Sequence, residues 1–267
     1  MSSRSGGDSA ALYGLKSLFS NDVTRKRTPI ESPMSSISVK RRKISSNKAD
    51  NERNQDSTAK PNIPDPKKHT GTPTVFLCDL FQAMHGIRLQ VKKTSELEDG
   101  FFYHASQDQI SAYTTDIVNA VRENDVCQLR MMYQADPRKV HCTNQFGESL
   151  LHRACRLGHQ EMAAFLMQDA KVIVRITDDC GRNPLHDTCW NPNPQLEICG
   201  WLMQQDPFLF LLADKRGFTP FDYARSQHWP TWKEFFHEHR GYLDAILEDK
   251  ETLSKFTNDK MPGEASI

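Results

Sequence analysis

The apolar residues divide the chain into a polar N-terminal part and a patterned remainder. Large apolar side chains are few between Phe19 and residue 70, so this part cannot bury enough surface to offset the entropy lost on ordering. From residue 75 onwards apolar residues recur at helical spacing, first over 75–84 and then in short paired segments up to residue 240. The pattern predicts a disordered tail over residues 1–70 followed by a helical region.

Three blocks of the helical region repeat in register. Gly147, Gly181 and Gly217 are 34 and 36 residues apart, and they begin the blocks Gly-Glu-Ser-Leu-Leu-His, Gly-Arg-Asn-Pro-Leu-His and Gly-Phe-Thr-Pro-Phe-Asp. A small residue lies two positions after each block, at Ala154, Thr188 and Ala224. Repeats of this length indicate stacked supersecondary units.

The blocks resemble the signature Gly-x-Thr-Pro-Leu-His-x-Ala of the ankyrin-repeat family. Glycine suits a turn, a Thr or Ser hydroxyl caps the helix that follows, and Pro is tolerated at its first position. Two positions depart from the signature, Leu150 in place of Pro and Asp222 in place of His. The resemblance implies an all-α fold, an ankyrin-repeat α-solenoid of stacked helix-turn-helix units with short hairpin tips.

Four units are predicted, at about 113–139, 140–174, 175–210 and 211–240. The first lacks the Gly-Thr-Pro element, and terminal units are expected to be atypical because one face has no neighbour. In the flank, residues 71–112, we expect a helix and an extended stretch that cover the apolar edge of the first unit; a partner-docking motif is the alternative. Residues 241–267 are expected to form a helix extension and a frayed end.

The resemblance further implies a non-catalytic protein-interaction adaptor or regulator. In this family the first helices and the hairpin tips line a concave groove that binds a protein partner, whose identity the sequence does not give. The matching outward positions in the groove are Arg153, Arg156, Asp187, Trp190, Tyr223 and Ser226. The tips add Gln145, Phe146, Asp179, Lys215 and Arg216.

Two His-x-x-Cys pairs, His152 with Cys155 and His186 with Cys189, are the candidates for metal or nucleophilic chemistry. Equivalent positions of stacked helices are roughly 10 Å apart, which is too far for one tetrahedral zinc site. The resemblance implies that the histidines are structural and hydrogen-bond the turn backbone. No phosphate-binding glycine-rich loop is present, so we expect no catalytic residue, metal or cofactor.

The tail differs from the rest of the chain in charge. Residues 1–70 hold 14 Lys and Arg against 7 Asp and Glu, whereas the remainder holds 20 against 27. The basic residues form two clusters, Arg25, Lys26 and Arg27, then Lys40, Arg41, Arg42 and Lys43. This arrangement resembles a bipartite nuclear localisation signal, which implies an import receptor as a second partner; a solvated charge run is the alternative.

Other functions of the tail are less favoured. Nucleic-acid binding through phosphates is the alternative function, although no aromatic residues are interleaved with the basic clusters. Thr28-Pro29, Ser32-Pro33 and Thr72-Pro73 fit proline-directed phosphorylation. An apolar patch within residues 12–19 could fold on a partner or stay inert. Residues 1–27 partly resemble an organelle transit peptide, but Asp8 and Asp22 count against it.

The number of cysteines and the hydropathy of the chain limit the cellular compartments in which we expect the protein. The seven cysteines are odd in number, and no secretory pattern follows Met1, so reduced thiols in the nucleus or cytoplasm are expected. No stretch approaches the roughly 20 apolar residues of a membrane span. We expect a monomer that does not enter a membrane.

Overall fold

The computed structural model describes residues 62–257, and this part of the chain is mainly helical. Its α-helices are α1 (Pro73–His85), α2 (Gln107–Ser111), α3 (Thr115–Arg122), α4 (Val126–Ala135), α5 (Leu150–Leu157), α6 (Gln160–Ala164), α7 (Pro184–Trp190), α8 (Leu196–Gln205), α9 (Trp229–Glu238) and α10 (Lys250–Lys255). Two short strands, β1 (Lys92–Lys93) and β2 (Leu212–Ala213), pair in parallel. The expected helical solenoid is confirmed, while residues 1–61 of the predicted tail lie outside the described range.

The helices form successive antiparallel pairs. The first three pairs are α3 with α4, α5 with α6, and α7 with α8; α6 continues into a π-helical turn over Phe165–Asp169. In the fourth unit the expected first helix is a single 3₁₀ turn, Pro220–Asp222. Arg225 then takes an extended conformation, and another 3₁₀ turn, Ser226–His228, leads into α9. The fourth unit therefore departs from the helix-turn-helix pattern.

Each hairpin tip is held by the Asp or Asn three residues before its glycine. Asp178 Oδ1 accepts hydrogen bonds from the backbone amides of Cys180 and Arg182 at 3.0 and 2.8 Å. Asn144 and Asp214 make the equivalent pairs of bonds in their own tips. The glycines of the three tips have φ angles of +78°, +81° and +95°, a left-handed conformation that a side chain disfavours.

The signature histidines connect one unit to the next. His152 Nε2 lies 3.0 Å from the carbonyl oxygen of Arg182, and His186 Nε2 lies 3.1 Å from that of Phe218. Asp222, which replaces the third histidine, instead accepts bonds from the backbone amide and the hydroxyl of Thr219. The substitution thus falls where the chain has no further unit of this kind to bind.

Helix α1 of the flank covers the fourth unit and not the first, which corrects the expectation for this helix. Helix α1 packs against α9, with Phe76 and Trp232 both fully buried. The ammonium group of Lys233 donates to the carbonyl oxygen of His69 at 2.6 Å. The physical reason is that the fourth unit has no fifth repeat beside it, so its apolar face is free to receive the apolar side of α1.

From α1 the chain runs back along the repeats; we refer to residues 87–106 as the return segment. Its strand β1 pairs with β2 ahead of the last tip. Further along, the backbone amide of Tyr103 donates to Arg175 at the start of the third unit, at 3.0 Å. Beyond the return segment, Gln109 Nε2 donates to the carbonyl oxygen of His141, in the second unit. Helix α2 packs against the 3₁₀ turn Pro137–His141, at the junction of the first and second units, so the flank contacts all four units.

The C-terminal part packs onto both the repeats and the flank. A 3₁₀ helix, Arg240–Leu247, is followed by α10. The ring of Phe256 stacks on Phe208 at 5.4 Å, and its carbonyl oxygen accepts a bond from the amide of Gln90. Within residues 62–257, no helix has the length and apolar character that crossing a bilayer requires.

Candidate protein-binding surface

The outward face of α5 carries a row of linked charges that continues onto α7; we call Arg153, Glu148, Arg156 and Asp187 the ion-pair row. Glu148 lies between two arginines, 3.4 Å from Arg153 Nη2 and 3.1 Å from Arg156 Nη1. Arg156 also makes a two-point contact with Asp187, at 3.0 and 3.1 Å. Three of the predicted groove residues are therefore committed to internal ion pairs, and the pair of Arg156 with Asp187 joins the second unit to the third.

The two sides of this row differ in accessibility. The Arg156 side chain is 36% exposed, whereas that of its partner Asp187 is 3% exposed. Arg153 is likewise more exposed than Glu148. Asp187 was predicted to face outward, and it is buried beneath a guanidinium group. The groups exposed to solvent here are therefore mainly the arginine side chains of these pairs.

The third and fourth units carry an aromatic patch, which we define as Trp190, Phe218, Tyr223 and Arg216. Tyr223 lies at its centre, with ring centroids 5.7 Å from Trp190 and 6.5 Å from Phe218. The guanidinium carbon of Arg216 lies 5.2 Å from the Phe218 ring centroid and 5.9 Å from that of Tyr223, within cation–π range. Trp190 is 61% exposed, so it is not buried beside the neighbouring turn.

Tyr223 is fixed through its hydroxyl group. This hydroxyl donates to Asp214 Oδ2 at 2.7 Å and accepts from Arg216 Nη2 at 2.7 Å. Asp214 is fully buried, whereas Arg216 is 66% exposed. Burial alone would raise the pKa of Asp214, but the hydrogen bonds from Tyr223, Phe218 and Arg216 outweigh it and lower the pKa. The patch is therefore preorganised around an ionised, buried carboxylate.

The remaining groove residue, Ser226, is exposed in the 3₁₀ turn ahead of α9. Its displacement from a first helix follows from the shortening of that helix in the fourth unit. The predicted tip residues are all exposed: Gln145, Phe146, Asp179, Lys215 and Arg216. A cavity of about 430 Å³ is lined jointly by residues of the tips, among them Phe146, Asp179 and Lys215, and by residues of the return segment.

Sequence reasoning missed Phe218 and Glu148 as surface residues. Both occupy the position directly after a tip glycine, as Arg182 does in the third unit. This shared register was the available signal, because equivalent positions of a repeat project in equivalent directions. The aromatic patch therefore unites two predicted groove residues, one predicted tip residue and one that was missed.

The His-x-x-Cys pairs are built into the repeat packing. Both ring nitrogens of His186 are engaged. Its Nδ1 accepts a hydrogen bond from the backbone amide of Asn183, and its Nε2 lies 3.1 Å from the carbonyl oxygen of Phe218. Burial lowers its pKa to about 4, so the ring is neutral at neutral pH. Cys155 and Cys189 are buried free thiols whose pKa values burial raises. Thiols in such surroundings are poor nucleophiles.

Within residues 62–257, one group of three potential metal ligands has its ligand atoms within 4.8 Å of one another. Its members are Asp178, Asp179 and Cys180. Asp178 is already committed, because it pairs with Arg182 and accepts two backbone amides of its own tip. The group is a consequence of tip geometry. The predicted import residues Arg25, Lys26, Arg27, Lys40, Arg41, Arg42 and Lys43 lie outside the described residues.

Residues 117–211 match the family model described as ankyrin repeats, in three copies. These residues are therefore ankyrin repeats, and the family resemblance is confirmed. The repeats imply protein partners in general and are typically non-enzymatic. The match ends at Leu211, so the fourth unit lies beyond it.

A curated relative, diacylglycerol kinase zeta of Rattus norvegicus, is 25% identical over 138 residues. The alignment covers 51% of this chain and 14% of that protein. The chain thus spans a small part of the relative it matches, and the name of that relative describes a much longer protein.

Proposed function

We propose that this chain is a non-catalytic adaptor or regulator that binds a protein partner on the concave side of its repeats. The observation that carries the proposal is the aromatic patch, in which a 61% exposed tryptophan lies beside a tyrosine held by a buried carboxylate. Trp, Tyr and Arg are the residues most enriched among those that dominate binding energy at protein interfaces.

The aromatic patch is favoured over the ion-pair row as the main contact. Arg153 and Arg156 are already neutralised by Glu148 and Asp187, and a partner would have to compete with those bonds. Trp190 and Phe218 have large exposed faces whose burial would be favourable at roughly 25 cal/mol per Å². Within the ion-pair row, the pair of Arg156 with Asp187 instead joins the second unit to the third.

The test is proximity labelling in the native cell, comparing the full-length chain with a Trp190→Ala, Phe218→Ala double variant. Both side chains are exposed, so the substitutions should leave the circular dichroism spectrum and the free energy of unfolding nearly unchanged. We expect the labelled partners to be lost. Met131→Ala is the matched control, because Met131 is an exposed apolar side chain on α4, away from the patch.

Unchanged labelling by the double variant would contradict the proposal. Charge reversal at Arg153 and Arg156 is a poorer test, since it would leave the buried Asp187 without a partner and disturb the fold itself.

We further propose that the basic clusters of the tail direct nuclear import, on the basis of their spacing in the sequence alone. A fluorescent fusion with Lys40, Arg41, Arg42 and Lys43 changed to Ala should lose nuclear accumulation, and persistence in the nucleus would refute the proposal. The nucleic-acid alternative predicts binding with strong salt dependence that disappears when residues 1–70 are deleted.

A further inference from the structure

We infer the chemistry of the partner: an extended acidic peptide segment with a large apolar side chain, which packs on the aromatic patch while a neighbouring carboxylate of the segment binds Arg216. The inference rests on the proposed function and goes beyond it, because a groove of this kind could equally receive a basic or a neutral segment.

The charge argument comes from the way ion pairs are layered on this face. Four pairs lie along the repeats, and in each the arginine is the more exposed member: Arg153 with Glu148, Arg156 with Asp187, Arg182 with Asp178, and Arg216 with Asp214. The carboxylates lie beneath, between 0% and 13% exposed. An approaching ligand therefore meets guanidinium groups first, although the pairs are formally neutral.

Unused donors strengthen the argument at the patch. Arg216 donates through Nε to Asp214 and through Nη2 to Tyr223, and its Nη1 makes no hydrogen bond to any residue of the described range. A guanidinium has five N–H donors and binds carboxylates in a forked geometry. Arg216 can therefore donate to an additional carboxylate without breaking the hydrogen bonds that hold Tyr223.

The exposed carboxylate nearest the patch in sequence, Asp222, does not reverse this charge pattern. Its Oδ2 accepts hydrogen bonds from the amide and hydroxyl of Thr219 at 2.7 and 2.8 Å. Arg225, three residues later, is exposed. An acidic ligand would therefore meet the exposed guanidinium group of Arg216 directly beside Tyr223.

The apolar requirement follows from the arrangement of the rings. Trp190 and Phe218 lie on either side of the central Tyr223, which leaves aromatic faces open to solvent. A leucine or aromatic side chain packed against Trp190 or Phe218, which are 61% and 48% exposed, would bury part of the open face of that ring. Groove binding of this type normally depends on one or two apolar anchors.

The experiment is selection of random peptides of about twelve residues from a phage library on the full-length chain. We expect the selected sequences to be enriched in Asp and Glu within a few positions of a Leu, Phe or Trp. Synthetic versions labelled with fluorescein should bind more weakly as salt is raised. They should lose about tenfold or more in affinity with Trp190→Ala and with Arg216→Glu.

Lys215→Glu is the matched control for Arg216→Glu, since Lys215 is an exposed cation of the same tip that lines the cavity beside the return segment. It should change affinity less than about threefold. Arg216→Gln, which removes the charge but keeps a polar side chain, provides a second variant if the reversal disturbs the tip. The circular dichroism spectrum of each variant reports whether the fold is retained.

The outcomes separate the two proposals. If the selected peptides are basic or neutral but still lose affinity with Trp190→Ala, the inference of an acidic partner is wrong and the proposed binding surface is retained. Peptides indifferent to Trp190→Ala, or no enrichment at all, would overturn the inference, and the proximity labelling described above then decides whether the concave side binds protein by another means.

Discussion

The hydroxyl oxygens of Thr74 and Thr219 lie 2.8 Å apart, although 145 positions separate them in the chain. Thr219 also donates its hydroxyl hydrogen to Asp222 Oδ2 at 2.8 Å. Thr74 must therefore be the donor in the bond between the two threonines. Both residues are buried, and the contact joins the start of α1 to the fourth unit.

The direction of this bond predicts unequal effects of two similar substitutions. Thr219→Val leaves the Thr74 hydroxyl buried without an acceptor and should lower the free energy of unfolding by about 2 kcal/mol. Thr74→Val removes only the donor, and Thr219 keeps its bond to Asp222, so the loss should stay below about 1 kcal/mol. Urea unfolding followed by circular dichroism measures both, and an equal or reversed order would show that the assignment is wrong.

A side chain at Gly181 should cost more than its left-handed backbone alone accounts for. A Cβ atom at this position would overlap Thr94 Oγ1 of the return segment, and the φ angle is +81°. Gly86 has a similar φ of +72° with nothing within 4 Å of a Cβ, so Gly86→Ala measures the backbone cost alone, about 1 kcal/mol. Gly181→Ala should cost roughly 2 kcal/mol more than that because of the added clash.

The double variant Gly181→Ala, Thr94→Ala provides the check on that explanation. Removing the Thr94 hydroxyl makes room for the new methyl group, so the double variant should recover much of the extra loss in a thermal or urea unfolding series. Additive losses would mean that the return segment does not constrain the tip.

Arg175 should contribute more to stability than an arginine in an exposed ion pair. Its guanidinium makes a two-point contact with Asp206 at 2.7 and 3.0 Å and lies 4.8 Å from the Phe101 ring centroid. Asp206 is buried, so Arg175→Met leaves a carboxylate without its counter-charge and should destabilise the fold by about 3 kcal/mol. The exposed pair of Arg130 with Asp169 is the control, and Arg130→Met should cost no more than about 1 kcal/mol. Similar losses in the two variants would contradict the prediction.

His186 should make stability depend on pH below neutrality. Burial lowers its pKa to about 4, against an ordinary value of 6.5, so between these values the unfolded chain binds more protons than the folded one. Stability is therefore fully present above pH 6.5 and falls as the pH drops towards 4. The loss through this residue should be about 2 kcal/mol at pH 5. His186→Asn should flatten the pH dependence of urea unfolding between pH 8 and 5, and an unaltered slope would count against it.

The repeats could be predicted from the sequence because their signals are local and periodic. Gly147, Gly181 and Gly217 require a left-handed backbone, and the Asp or Asn before each supplies the bonds that close the turn. Such features need no knowledge of distant residues. The shortened first helix of the fourth unit was less predictable, since its Thr-Pro start is the same as that of a full helix.

The destination of the flank could not be predicted. The apolar residues of α1 would suit either end of the stack equally, and the choice depends on contacts such as Thr74 with Thr219 that only the folded chain brings together. The same limit applies to the candidate site. Trp190 and Phe218 are of types usually found inside, and pairing buried Asp187 with Arg156 requires two units in register.

The path of the flank changes the way in which these repeats should fold. In an open array each unit contacts only its neighbours, so terminal units can fray and folding can begin anywhere. Here β1 pairs with β2, and Gln90 bonds to Phe256, so the fourth unit cannot be completed until residues far apart in the chain have met. Closing such long loops costs entropy before any contact compensates for it. The repeats should therefore fold slowly. They should also unfold together as one cooperative unit, because the flank and the C-terminal part are bonded to each other and to the fourth unit.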